Sequence, residues 1–194
     1  MKIFLIILGV IFLLFVGSQI YFYNSSRNIE RYKYAVTAVY EGFEVRTYEA
    51  SLFTSVKLGT DLYKKASSKG FSILGGYIFG KNEKKEQISM TSPVKISLKK
   101  KMTMQFLVPK NFTKDELPKP ENSSIEFVEV PEIKMAAISF SGWTNAKKIE
   151  KYKIRLISLL DKNQIKHTNN FSLLGYNPPY ELLFRKNEIV VELD

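Results

Sequence analysis

The feature that most constrains this chain is an uncharged run near its amino terminus. Every position from Ile3 to Gly17 is apolar or glycine, and Ser18-Gln19-Ile20-Tyr21-Phe22-Tyr23 closes the run with an aromatic end. At 1.5 Å of rise per residue, a helix from Ile3 to Tyr23 reaches roughly 30 Å, the thickness of a bilayer's hydrocarbon core. Residues 1–23 are therefore expected to form a single transmembrane anchor. A cleaved secretory signal is the competing reading, because Val16-Gly17-Ser18 has the small residues of a cleavage site and Lys2 supplies a minimal positive start. That alternative would leave the chain secreted or periplasmic. The length of the run and its aromatic end favour the uncleaved anchor. Lys2 and the amino terminus oppose Arg27, Arg31 and Lys33, so charge asymmetry does not select an orientation.

Residues 24–33 read as a short polar linker without apolar periodicity, which places one soluble domain over 34–194. A chain of 194 residues has room for one core behind such a segment. The absence of cysteine excludes disulfides, thiolate metal sites and thiol catalysis, and says nothing of compartment. The net charge of +10 is dispersed over Lys64-Lys65, Lys84-Lys85, Lys99 to Lys101 and Lys147-Lys148. Nucleic-acid binding, which calls for a basic stripe or a recognisable module, is not expected. Solubility, or attraction to an anionic membrane surface, accounts for the lysines.

Within the domain the pattern divides into two halves of the same plan. The first predicts strands near 34–40, 43–49 and 52–58. A helix follows from Asp61 to about Leu74, capped by Thr60 and weakened at its end by Gly75-Gly76, with strands near 88–98 and 102–108 beyond it. On that helix Leu62, Ala66, Ile73 and Tyr77 recur on one side. The second half predicts strands near 125–130 and 133–141 and a helix from Asn145 to about Asn163, capped by Thr144. Further strands are predicted near 171–176, 180–184 and 188–193. Short turns between consecutive strands argue for antiparallel pairing with a helix on each half, an α+β fold.

Catalytic chemistry is mostly eliminated. The single histidine, His167, lies in a polar stretch, and one histidine without cysteine cannot complete a usual zinc set. No nucleophile elbow, phosphate loop or calcium loop is present. The acidic residues mostly stand alone or beside lysine, as surface pairs do. The chain is expected not to be an enzyme.

Seven strings then occur in one order: Phe43-Glu44-Val45-Arg46-Thr47-Tyr48, Gly76-Tyr77-Ile78-Phe79-Gly80-Lys81-Asn82, Ile88-Ser89-Met90-Thr91-Ser92-Pro93-Val94, Leu117-Pro118-Lys119-Pro120, Phe140-Ser141-Gly142-Trp143, Gly175-Tyr176-Asn177-Pro178-Pro179-Tyr180 and Arg185-Lys186-Asn187-Glu188-Ile189. Together they resemble the SOUL haem-binding family from about Tyr34 to the carboxyl terminus. The resemblance implies two pseudo-symmetric strand–helix–strand halves that form a distorted antiparallel barrel with two packed helices. The implied arrangement is similar to that of the effector-binding domains of some transcription regulators.

For function, the resemblance implies a non-enzymatic binder of haem or another tetrapyrrole, weakly and reversibly held. The expected ligand-binding residues are Leu62, Tyr63, Lys64, Ala66, Ile73, Tyr77 and Met90, with Lys64 toward a propionate. The axial histidine proposed in some relatives has no counterpart near the first helix. Met90 and His167 remain as weak iron candidates, although Met90 also suits a core gap, and Trp143 also suits a staple ahead of the second helix. Two alternatives stay open. One is an effector or protein-interaction module without haem, its protein partner unknown. The other is a hydrolase using Glu44 or Tyr63 in the pocket.

Overall fold

Runs of β-branched and aromatic residues broken by glycine, proline and lysine turns give this chain mostly strands. The computed structural model describes residues 2–26, 29–178, 181 and 185–194. In order the elements are α1 (Lys2–Ser26), β1 (Glu30–Arg31), β2 (Tyr34–Tyr40), β3 (Phe43–Tyr48), β4 (Ser51–Lys57), α2 (Tyr63–Ile78), β5 (Thr91–Ser92), β6 (Val94–Ser97), β7 (Thr103–Leu107), β8 (Ile125–Val130), β9 (Ile133–Ser141), α3 (Ala146–Lys162), β10 (His167–Gly175) and β11 (Lys186–Leu193). The strand expected near 180–184 lies outside the described residues except for Glu181, which is in no strand.

Nine strands form one curled antiparallel sheet in the order β2-β3-β9-β11-β10-β6-β7-β4-β8. Leaving β2 aside, this order is unchanged when each strand of the first half is exchanged with its counterpart in the second: β3 with β8, β4 with β9, β6 with β10, β7 with β11. The helices obey the same exchange, since α2 packs on β4 and β7 while α3 packs on β9 and β11. The halves are therefore related by a pseudo-twofold axis between β6 and β10, which pair through Ser172 to Ser97 and Gly175 to Val94. The barrel is an open half-barrel, with β2 and β8 as its edges.

Side chains alternate across the sheet with the strand period of two. One set, including Val45, Val56, Ile96, Met104, Ile138, Leu173 and Ile189, packs under α2 and α3 as the main core. The intervening residues, including Tyr48, Phe53, Met135, Ala137, Leu174 and Val190, build a second cluster on the opposite face. Tyr32 completes that cluster at 4% exposure. Residues 30–33, expected in the linker, are thus tied to the domain. Glu30–Arg31 pairs in parallel with Thr91–Ser92, and the Tyr32 amide donates to the Ser92 carbonyl at 2.9 Å. One buried aromatic suffices to dock a segment that has no periodicity.

Several boundaries differ from expectation for local reasons. The strand expected over 88–98 is split into β5 and β6 at Pro93, which has no N–H to give a ladder. Thr60 does not cap α2: it stands two residues before the N-cap, its hydroxyl accepting from the Leu62 amide at 3.2 Å, and the N-cap Leu62 makes no side-chain cap bond. Gly75-Gly76 does not end α2 either. Buried Leu74, Tyr77 and Ile78 carry the helix on, so packing overrides propensity. The chain turns off at Gly80, whose φ of +103° suits glycine. On α3 the cap is Asn145 and not Thr144, its side chain accepting from the Lys148 amide at 2.9 Å.

α1 differs from α2 and α3 in being mostly exposed. It is one helix long and apolar enough to cross a membrane, over Lys2–Tyr21 with mean hydropathy 2.7, and most of its length is unburied.

Candidate functional site

Where the two halves meet, the concave face of the sheet is left partly uncovered. Val94 and Ile96 of β6 and Leu173 and Gly175 of β10 form the floor of a cleft of about 250 Å³. Met104 of β7 deepens the floor, and Tyr63, Ser67 and Phe71 make the α2 wall. Those three recur every four residues and so share one helix face. The opposite wall comes from the approach to α3, Trp143 and Thr144, and from the segment between β10 and β11, Tyr176 to Pro178 and Arg185. Ile29 and Met90 to Ser92 close one end.

The polar rim is fixed mainly by backbone carbonyls. The Arg185 guanidinium donates to the carbonyls of Pro178 at 2.8 Å, Glu181 at 2.6 Å and Asn177 at 3.1 Å. Its central carbon lies 4.4 Å from the centre of the Trp143 ring, a cation–π geometry. No carboxylate reaches ion-pair distance of Arg185 among the described residues. Burial holds its pKa below the usual guanidinium value, against the opposing pull of Glu181 and Tyr63, and it stays charged. Asn187 donates to the Gly142 carbonyl at 2.8 Å and so ties β11 to the Trp143 turn. Burial also raises the Tyr63 phenol, although Ser67, Arg185 and Thr144 oppose it. Among the described residues the result is an apolar trough with the Tyr63 phenol, the thioethers of Met90 and Met104, and the Arg185 cation without an ion-pair partner, suited to an apolar molecule bearing an acidic group.

Behind the floor, on the other face of the sheet, lies a buried ionic cluster. Arg46 donates to both carboxylate oxygens of Glu188, at 2.8 and 3.1 Å, and its Nε donates to Glu44 at 2.8 Å. Glu188, fully buried, also accepts from Tyr176 at 2.6 Å and Ser139 at 2.8 Å. Burial by itself would raise the Glu188 carboxyl, but the hydrogen bonds and charge of Arg46, with Tyr176 and Lys186, outweigh it and bring the pKa to about 2. The expectation that acidic residues form surface pairs fails here. Tyr176 connects the two faces: it belongs to the cleft wall while its hydroxyl holds the ionic cluster.

Of the residues expected at a ligand, the structure places Tyr63 and Met90 together on the cleft. Leu62 lines a separate hollow between α2 and α3, with Met102 and Lys153. Lys64 is exposed on α2 and does not line the cleft. Ala66 and Tyr77 face the core, with the Tyr77 hydroxyl donating to the Pro118 carbonyl at 2.9 Å. Ile73 borders a shallow depression at the far end of the helix. His167 is on β10, edge-on to Phe171 at 5.6 Å, and outside the cleft. Glu44 lies on the ionic-cluster face. Sequence reasoning missed Ser67, Phe71, Met104, Tyr176 and Arg185 as cleft residues. The helical period from Tyr63 would have found the first two, and the last two sit inside strings already singled out.

A family model described as SOUL heme-binding protein matches residues 29–192. Heme-binding protein 2 of Mus musculus is 27% identical over 156 residues, 76% of each chain. Heme-binding protein 1 of Xenopus laevis is 26% identical over 155 residues, covering 76% of this chain and 81% of its own. Among solved structures, the EcmrR C-terminal domain gives a TM-score of 0.59 at 14% identity, over 78% of this chain and 96% of that one. A hydrolase from Listeria innocua gives 0.56 at 10% identity, over 88% and 96%. At such identities these structures establish the fold alone.

Proposed function

The chain belongs to the SOUL heme-binding protein family, and from that membership we propose that it is a membrane-anchored, non-enzymatic carrier, buffer or sensor of haem or another tetrapyrrole. Its ligand sits in the cleft on the pseudo-twofold axis. The observation that carries the reading is the composition of that cleft, apolar walls from Phe71, Ile96, Met104 and Leu173 with the cation Arg185 at the rim. The macrocycle is held by burial, and an acidic substituent reaches Arg185. Tyr63 and Met90 offer the only oxygen and sulfur side chains of the expected set on this cleft, and phenolate and thioether are both known iron ligands. α1 is the anchor, by its length and apolarity.

A second reading has one observation in its favour. About 250 Å³ is below the usual roughly 300–1,000 Å³ of small-molecule pockets, so a tetrapyrrole would be covered only in part, whereas a smaller hydrophobic effector would fit whole. Titration of haem into the full chain in nanodiscs, followed in the Soret region against empty discs, separates the two. Saturable binding at micromolar protein is expected, little changed by His167→Ala and weakened by Tyr63→Phe or Met90→Leu. No spectral change at micromolar protein would reject the tetrapyrrole and leave the effector reading.

A further inference from the structure

The cleft and the apolar helix are neighbours along the chain. α1 ends at Ser26, and Ile29, three residues later, lines the cleft. The span of high hydropathy ends at Tyr21. From there, five helical residues add about 7 Å and three residues of chain at most about 10 Å. With α1 inserted, Ile29 lies within about 17 Å of the hydrocarbon boundary. The headgroup layer occupies the first 5–7 Å or so of that distance. β1 then fixes the attachment, because Glu30–Arg31 pairs with Thr91–Ser92 of the same cleft end. The domain thus hangs from the membrane by the rim of its own cleft.

The rim also carries the side chains that interfaces select. Trp143 is the only tryptophan of the chain, lines the cleft and is 57% exposed, with Arg185 stacked on its ring. Tryptophan prefers the headgroup level, where its ring is in an apolar layer and its N–H remains hydrated. Arginine beside it can meet lipid phosphate when the cleft is empty.

We propose that the mouth of the cleft is apposed to the bilayer surface with Trp143 in the headgroup layer, so that an amphipathic, acid-bearing ligand passes between lipid and cleft without crossing bulk water. The proposal rests on the cleft being the ligand site and on α1 being inserted. It extends that reading by naming the phase that supplies the ligand.

The single tryptophan gives a direct test. The full chain is placed in phosphatidylcholine nanodiscs containing a lipid with a nitroxide headgroup, and tryptophan fluorescence is compared with nitroxide-free discs. Trp143 is expected to lose about half its emission or more. In a Trp143→Phe, Phe79→Trp variant the probe moves to the other end of α2, an exposed position roughly 24 Å along the helix from Tyr63. That variant is expected to be little quenched, as is the natural chain with a 20-residue Gly/Ser insert between Ser26 and Ile29. An unquenched Trp143 in discs that retain the protein, equal quenching at both positions, or failure of the chain to insert would each overturn the proposal. Haem titration of the same discs keeps the two readings apart. Binding without Trp143 quenching rejects only the placement. Quenching without binding supports the placement and rejects haem as the ligand.

Discussion

Glu188 is surrounded by groups that require its charge. Arg46 is 3% exposed and spends its guanidinium on Glu188, Glu44 and the Tyr48 hydroxyl, while the Tyr34 ring covers it at 4.3 Å. Removing one partner of a buried pair costs about 3–5 kcal/mol when the other charge is left uncompensated; Glu44 would still face Arg46 at 2.7 Å, which places the loss at the lower end of that range. Glu188→Gln is therefore expected to destabilise the domain by that amount in urea unfolding. A loss below about 1 kcal/mol would show that water reaches Arg46. The same pair sets an acid limit. The folded pKa of about 2 is below that of the unfolded chain, near 4.3. The stabilisation is therefore complete above about pH 5 and is lost as pH falls from there through 2. Melting temperature should drop between pH 5 and pH 2.5 in the natural protein, and by less in Glu188→Gln. None of this was legible in the sequence, where Glu188 follows Lys186-Asn187 and looks like any solvated carboxylate. Its burial comes from strand alternation on a β11 that is paired on both sides, a non-local fact. Arg185 stood inside a string already singled out, but its role was hidden there because it depends on a turn that brings Trp143 beneath it. Arg185→Gln is expected to weaken haem binding about tenfold while leaving urea stability within about 1 kcal/mol, since the guanidinium's carbonyl partners are at the rim. Unchanged affinity would remove it from the site.

At the scale of elements, α2 serves two surfaces, and that explains what the sequence pattern disclosed. Of the stripe Leu62, Ala66, Ile73 and Tyr77 read from spacing, the structure turns Ala66 and Tyr77 to the sheet, together with Leu74, and leaves Leu62 exposed. The face carrying Tyr63, Ser67 and Phe71 mixes polar and aromatic residues, so it gave no hydrophobic signal, yet it is the one that borders the cleft. Periodicity reports which side of a helix is buried, and a ligand wall is by nature half exposed. Gly70 tests how closely α2 sits. A Cβ there would meet Met104 Cβ and Sδ at 2.9 Å, and the first of those atoms is too near the backbone to swing away. Alanine gains about 1 kcal/mol of helix propensity over glycine, while overpacking costs about 1–3 kcal/mol. Gly70→Ala is expected to be destabilising on balance by about 1 kcal/mol, and, because Met104 floors the cleft, to alter haem affinity as well. A stabilised variant would mean that α2 moves outward freely. On α3, Asn145→Ala removes the side-chain cap and should cost about 1 kcal/mol.

The whole molecule is a two-half sheet to which an N-terminal segment has been added. The two-half plan was legible because each half repeats strands, helix and strands in order. The exchange of strands between halves was not, since β3 with β9 and β4 with β8 are pairings distant in sequence. The polar character of residues 24–33 concealed the second cluster, in which Tyr32 packs on Tyr48 at 4.7 Å and on Phe53 at 5.2 Å between ring centres. Its hydroxyl is buried without a hydrogen-bond partner among the described residues, and burial raises its pKa to about 12. Two substitutions at this position then have opposite signs. Tyr32→Ala empties a buried aromatic site at about 3–5 kcal/mol, which for a domain of this size is a fall in melting temperature of roughly 6–20 °C. Tyr32→Phe keeps the ring and removes an unsatisfied hydroxyl, so melting temperature should hold or rise by a few degrees. Thermal unfolding of the full chain in detergent, followed by near-ultraviolet circular dichroism, reads both. If Tyr32→Ala melted with the natural protein, the segment after α1 would be a passive tether. A loss with alanine and none with phenylalanine would mean that the buried Tyr32 ring makes residues 29–33, at the rim of the cleft, part of the folded unit.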